Sequence, residues 1–153
     1  MAERVQAVLE LIAARVDGDQ LRFMVARRAC PSGIDPDDIA AEGMEALFPG
    51  LAAESVVLHS TSWRYENGLL TLTYLGYSDQ LSPGALPLTL PQDAKPNGDD
   101  ASSVVAHAIR HLAFLTRTEP EKYATPLSAE TLAFLRSIQP DVAGRIHHQE
   151  HAA

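Results

Sequence analysis

The sequence predicts an α/β fold of the α/β/α sandwich kind, with a mixed, mostly antiparallel sheet held between one acidic helix and two C-terminal helices. Three observations carry this reading. Asn67-Gly68 lies between two runs rich in β-branched and aromatic residues, Val56 to Glu66 and Leu69 to Tyr77, and both central residues of a type I′ turn need positive φ. Asp17-Gly18-Asp19 separates two further runs that alternate at period two. Asp35-Pro36 then opens a helical pattern, with an N-cap acid and a proline at the first helical position.

For residues 3–16 the choice is between a helix, favoured by Ala, Leu and Glu, and a strand, favoured by Val5, Ala7, Leu9 and Leu11. The turn signal and the alternating Leu21 to Arg28 that follow favour the strand. The central hairpin is expected to pair Glu66 with Leu69, Trp63 with Leu72, Thr61 with Tyr74 and His59 with Gly76. One of its faces would then carry Trp63, Tyr65, Leu70, Leu72 and Tyr74, expected to be core. The other would carry Ser60, Ser62 and Arg64 across from Thr71, Thr73 and Leu75, either a solvated surface or the floor of a site.

The helix opened by Pro36 is expected to run to Phe48 and to be stopped by Pro49-Gly50, with Ile39, Met44, Leu47 and Phe48 on its apolar side. Asp38, Glu42 and Glu45 fall at i, i+4 and i+7, one strip of helix surface. That strip is read either as a solvated acidic face or as an oxygen-ligand site for Mg²⁺ or Mn²⁺. Between Asp79 and Asp100, Pro83, Pro87, Pro91 and Pro96 exclude a long helix and any central strand. This stretch is either a lid or an extended surface loop. Ser102 or Ser103 is expected to cap a helix carrying Val104, Val105, Ala108, Ile109, Leu112, Ala113 and Leu115. A last helix is expected from Ser128 to Pro140, with Ala129, Leu132, Ala133, Leu135 and Ile138 inward. The chain is thus read as one domain over residues 1–140 with a frayed polar tail over 141–153.

Charge and composition narrow the function. Twelve Lys and Arg stand against twenty Asp and Glu, a net charge of −8, which disfavours polymeric nucleic acid and anionic lipid. Arg22, Arg27 and Arg28 are the only candidates for a basic patch. No apolar run approaches the ~18 residues of a membrane span. A single cysteine, Cys30, and the lack of a basic start followed by an apolar segment lead to the expectation of a cytoplasmic protein without disulfides. His107 and His111 have the spacing of two zinc ligands, but no third ligand accompanies them, and they are read as helix-surface or capping residues. His147, His148 and His151 are read as an opportunistic metal trap.

Val8-Leu-Glu-Leu-Ile-Ala-Ala-Arg, the strand ending Phe23-Met-Val-Ala-Arg-Arg, Gly33-Ile-Asp-Pro-Asp-Asp-Ile-Ala-Ala and Gly50-Leu51 follow one another in an order that resembles the Nudix superfamily over about residues 4–118. The family's signature, G-x5-E-x7-R-E-U-x-E-E-x-G-U, holds divalent metals on a helix. In this chain it is degenerate: Ile34 stands where the first glutamate is expected. The R-E-U-x-E-E positions fall on Glu42, Gly43, Met44, Glu45, Ala46 and Leu47, and a one-residue shift brings Glu42 and Glu45 onto two metal positions. The resemblance implies a Nudix-like domain that binds a nucleotide-like or other anionic small ligand with weak or no hydrolase activity. Arg64, Ser62, Ser60, Thr71 and Thr73 are the ligand-binding candidates. The alternatives are a metal-dependent hydrolase of nucleoside-diphosphate-linked substrates using Asp38, Glu42 and Glu45 with Mg²⁺ or Mn²⁺, and an interaction module that pairs as a homodimer through the proline-rich loop and a sheet edge.

Overall fold

The computed structural model describes residues 6–52, 55–96, 100–140 and 144–145. Gln6–Asp17 is a twelve-residue strand, β1, that turns through Gly18 at φ 67° into β2, Gln20–Cys30. The period-two pattern therefore wins over helix propensity: each face of β1 is buried by a different layer, which a lone helix at a surface could not reproduce. Helix α1 spans Pro36–Leu47, and the Asp35 carboxylate accepts from the Asp37 amide at 2.9 Å, as its N-cap role requires. Strands β3, Val57–Glu66, and β4, Leu69–Tyr77, follow. They turn at Asn67 and Gly68 with φ 53° and 78°.

The proline-rich stretch contains a 3-10 turn at Pro83–Ala85 and a two-residue strand, β5, Leu88–Thr89. Helices α2, Ala101–Thr118, α3, Pro120–Tyr123, and α4, Ala129–Arg136, come next, and Gly144–Arg145 form β6. The sheet order is β5-β2-β1-β4-β3-β6, with β1 parallel to β4, β3 parallel to β6, and the other neighbours antiparallel.

Alternation along β1 assigns the two layers. Leu9, Leu11 and Ala13 meet α1 through Ala40, Met44 and Phe48, together with Tyr74. Ile12, Ala14 and Val16 meet α2 and α4 through Val105, Ile109, Leu112 and Leu135, together with Leu75 and Tyr77. Burying each such aliphatic or aromatic side chain contributes roughly 1.5–3 kcal/mol. Two glycines set how closely α1 approaches the sheet: Gly43 lies against Leu11, and a Cβ at Gly76 would stand 2.6 Å from Met44 Sδ and 2.9 Å from Phe48 Cε2.

The far end of the sandwich is closed by polar bonds. Arg15 Nη1 donates to the Leu81 carbonyl and Arg22 Nε to that of Leu86, at 2.8 Å for the latter, which pins the proline-rich stretch to the sheet edge. Tyr77 Oη accepts from the Val16 amide at 2.9 Å and lies 2.7 Å from Thr131 Oγ1, while Asp79 accepts from the Ser128 amide and Thr131 hydroxyl at the start of α4. Burial raises the Tyr77 hydroxyl pKa well above the ordinary tyrosine value.

Several expectations change. The β3–β4 pairing follows the expected register from Glu66 to Ser62, after which a bulge at Thr61 shifts it, so that Ser60 pairs with Tyr74 and His59 with Leu75. The face expected to be core is half open, with Trp63 40% and Tyr65 48% exposed. Their opposite face, expected to be the wetter one, buries Ser62, Thr71 and Thr73. The reason is coverage: α1 packs over β1 and β2, reaching β4 near Gly76, and leaves the far half of β3 uncovered, while Arg64 and Thr73 on the opposite face are held by Glu10. Asp100, accepting from the Ser103 amide at 2.8 Å, caps α2 in place of Ser102 or Ser103. The last helix ends at Arg136 rather than near Pro140, and Ala129 and Ala133 face solvent while Thr131 is buried in Tyr77's network. Part of the expected tail is ordered, since Gly144 and Arg145 pair with Ser62 and Trp63. Residues 146–153, including His147, His148 and His151, lie outside the described residues.

Replacing Gly76 by Ala is expected to destabilise the fold by about 1–3 kcal/mol, because the added methyl overpacks Met44 and Phe48. Urea denaturation of the variant with an unchanged slope and a lowered midpoint would establish it.

Candidate functional site

Glu10 stands in the apolar run Val8-Leu9-Glu10-Leu11-Ile12, and strand alternation places it on the same face as Ile12, beneath the helical layer. Register puts it beside Arg27 on β2 and Thr73 on β4, with Ser62 and Arg64 of β3 one strand further. Only 3% exposed, Glu10 is the most enclosed charged residue described. The Arg64 guanidinium grips both its oxygens, Nη1 to Oε1 at 3.1 Å and Nη2 to Oε2 at 3.2 Å. Arg27 Nη2 donates to Oε2 at 3.2 Å and Thr73 Oγ1 to Oε1 at 3.0 Å. A carboxylate buried this deeply is tolerated because the planar fork and the hydroxyl together replace its water.

Of the five ligand-binding candidates, the structure brings four to this junction. Arg64 and Thr73 hold Glu10, Thr71 is Arg64's cross-strand partner and is buried, and Ser62 Oγ is buried with no hydrogen-bond partner among the described residues. Ser60 is separated from them: the Thr61 bulge turns it to the α1 face, where it is exposed. Beside the junction an open depression of about 420 Å³ is lined by Arg27, Arg64, Glu66, Asn67, Leu69 and Thr71. Both arginines of the lining pair with Glu10, and Glu66 adds a second carboxylate to the lining, so the formal charges of the group balance.

On the opposite sheet face a trough of about 360 Å³ runs between α1 and the start of β3. Its walls are Ala41, Met44, Glu45 and Phe48, with Gly50, Leu51, Val56 and Leu58 completing the lining. By register Leu58, Ser60, Trp63 and Tyr65 share this face of β3, so the trough is followed along the strand by an exposed hydroxyl and two exposed aromatic rings. At the other end of α1, the Tyr74 hydroxyl donates to Asp37. Burial, and then that carboxylate, push its pKa above the ordinary tyrosine range.

The three acids proposed as metal ligands are not drawn together. Asp38, Glu42 and Glu45 are exposed along α1, and Glu42 instead approaches Arg28 at 3.9 Å. Among the described residues no group of three His, Cys, Asp or Glu side chains is placed to hold a metal ion. Of the basic-patch candidates, Arg22 engages Leu86, Arg27 engages Glu10 and Arg28 engages Glu42. No helix among the described residues is long and apolar enough to cross a membrane.

The α2 histidines are not on the helix surface. His107 and His111 are 7% and 6% exposed, facing β3, and His107 Nε2 lies 3.2 Å from the Thr61 carbonyl at the bulge. His111 meets His59 edge to face, with 4.9 Å between ring centroids. Sequence reasoning missed Glu10 and His59. The signal for Glu10 was a single acid inside an apolar strand. His59 had none, since only the bulge turns it toward α2.

Compared with known protein families and with curated protein sequences, the chain matches none.

Arg64→Ala is expected to cost about 3–5 kcal/mol, because it leaves the buried Glu10 carboxylate without its main partner. Arg27→Ala, at an arginine whose side chain is 58% exposed, should cost under about 1 kcal/mol. Paired denaturation curves measure the contrast.

Proposed function

We propose that the protein binds a small molecule with a flat, apolar body in the trough between α1 and β3. In this reading it is a Nudix-like domain whose metal-binding signature has given way to packing residues. The observation that carries it is the sharing of one sheet face by a concave apolar trough, an exposed hydroxyl at Ser60 and the open rings of Trp63 and Tyr65. Ligand sites are typically concave and mostly apolar, with a few polar groups that orient the ligand. A nucleobase or similar heteroaromatic ring would lie along Leu58 toward Trp63. Ser60 and Glu45 would meet its hydrogen-bond donors.

The same geometry favours this face over the Arg64 face for a ligand. Arg64 and Thr73 already serve Glu10, and withdrawing them would leave that carboxylate unpaired. The Nudix-like reading draws support from the layout, a helix begun by Asp35-Pro36 packed on a mixed sheet beside the trough. It is also consistent with the broken signature. At Gly43, one of the signature positions, the backbone lies against Leu11, so a larger side chain would have to displace core. Among the described residues the carboxylates of α1 are not gathered into a cluster of the kind that activates water, and binding without turnover is the function proposed.

A panel of nucleosides and nucleoside diphosphates, with and without Mg²⁺ or Mn²⁺, tests this by thermal shift. Trp63 is the chain's single tryptophan, so its fluorescence reports occupancy directly. A metal-independent rise in Tm, quenching of Trp63, and at least tenfold weaker binding in Trp63→Ala are expected, since base–aromatic stacking contributes about 1–3 kcal/mol. A response that needs metal and disappears in Glu42→Gln or Glu45→Gln would replace binding with hydrolase chemistry. No response from any member would overturn the proposal.

A further inference from the structure

The first half of β3 is held differently from the second. Val57, Leu58, His59 and Ser60 pair with β4, and on the other side the described residues of β6 meet β3 at Ser62 and Trp63. These four residues are therefore a sheet edge among the described residues, and they are cut off from the rest of the strand by the Thr61 bulge. What lies across them is α2. Val57 packs into the helical layer, and His59, two residues on, points the same way.

The groups facing His59 are unusual for an imidazole at a packed interface. From α2 comes the edge of His111, stacked in turn on Phe114, with His107 one turn earlier bound to the bulge. From α3 comes the charge of Lys122. Its β4 partner, Leu75, is apolar. Both ring nitrogens of His59 are shielded from solvent and make no well-formed hydrogen bond among the described residues. No carboxylate among the described residues bears on it. A proton on His59 would sit in a desolvated contact with a second imidazole and a cation.

We infer that His59 is an acid-sensitive latch: neutral, it lets Val57–Ser60 lie under α2, and protonated, it releases that edge segment while the rest of the sheet stays formed. The energetics agree in direction. Burial first, then His111 and Lys122, bring the folded-state pKa from 6.5 down to about 4, the Ser60 backbone offsetting a part. Because the folded pKa is depressed, the closed state is fully favoured above pH 6.5 and loses its advantage as pH falls from there toward 4. Release is local because, among the described residues, the segment has one paired edge, a bulge at one end and no strand outside it. Leu58 projects from the same segment into the trough on the opposite face, so opening would also remove part of the trough's lining. That consequence rests on the trough being the ligand site, whereas the latch itself does not.

Native-state hydrogen exchange at pH 7.5 and 5.0, corrected for intrinsic rates, tests the latch on the intact chain. The opening constant of the Val57–Ser60 amides should rise about thirtyfold at pH 5.0, the ratio that folded and open pKa values of 4 and 6.5 dictate. At that pH it should exceed the constants for Leu11 and Ile12 by at least tenfold. In His59→Phe, which keeps a ring and cannot take a proton, the rise should vanish. An equal rise in His59→Phe, or exchange of Val57–Ser60 only together with Leu11 and Ile12, would overturn the inference. A wild-type His59 ring resonance titrating near 6.5 in the folded protein would overturn it whatever the variant does. Ligand binding enters none of these readouts, so a trough that binds nothing leaves the test intact.

Discussion

One buried carboxylate governs how this sheet is assembled. Glu10 sits on the third strand of the six-stranded sheet, and its partners come from the strands on both sides and from the strand beyond: Arg27 on β2, Thr73 on β4, Arg64 on β3. A slip of β3 by one residue would turn Arg64 to the opposite face and leave the buried Glu10 carboxylate without its main partner. Hydrophobic pattern alone does not impose that precision on β3, whose residues from Ser60 to Tyr65 are polar or amphipathic. The ion pair therefore contributes registration more than net stability. It also removes Arg64 from the supply of cations open to a ligand.

Much of the fold was written in local chemistry. Asn67-Gly68, Gly18 and Asp35-Pro36 act through backbone constraints that hold whatever surrounds them, and all three turned or started the chain where such residues do. The choice of strand over helix for Gln6–Asp17 was likewise settled by the neighbouring turn. What could not be read were consequences of coverage. Whether Trp63 or Thr73 is inside depends on how far α1 reaches across β3 and on whether Glu10 lies beneath Arg64, and both are long-range facts. The bulge at Thr61 has no turn residue to announce it, and it moved Ser60 to the other face and His59 under α2.

The candidate site shows the same division. The strip Asp38, Glu42 and Glu45 was correctly a strip of helix surface, but one exposed stripe does not make a metal centre, because a second element must bring further oxygens to it. Here the element opposite α1 offers Leu58, Val56 and Leu51 instead. The helix meets the sheet through Gly43 and Gly76, close enough that bulk at either position would collide with Leu11, Met44 or Phe48. Such close docking gives a shaped wall of mostly apolar residues, the kind of surface that lines sites for apolar ligands.

β3 joins these features into one system. Its final residues turn through Asn67 and Gly68 and face Arg64 toward Glu10, so that half is fixed by a charge pair shared among four strands. Its first residues carry Leu58 toward the trough and His59 toward α2 on alternate faces of the same backbone. The bulge between them is itself held by His107 at the Thr61 carbonyl. A strand divided in this way can yield at one end without loss of register at the other, because the free energy that fixes the far end does not pass through the bulge. The doubly bonded Arg64–Glu10 pair and the His59 contact with α2 are thus carried by residues five apart on one strand, with the bulge at Thr61 between them.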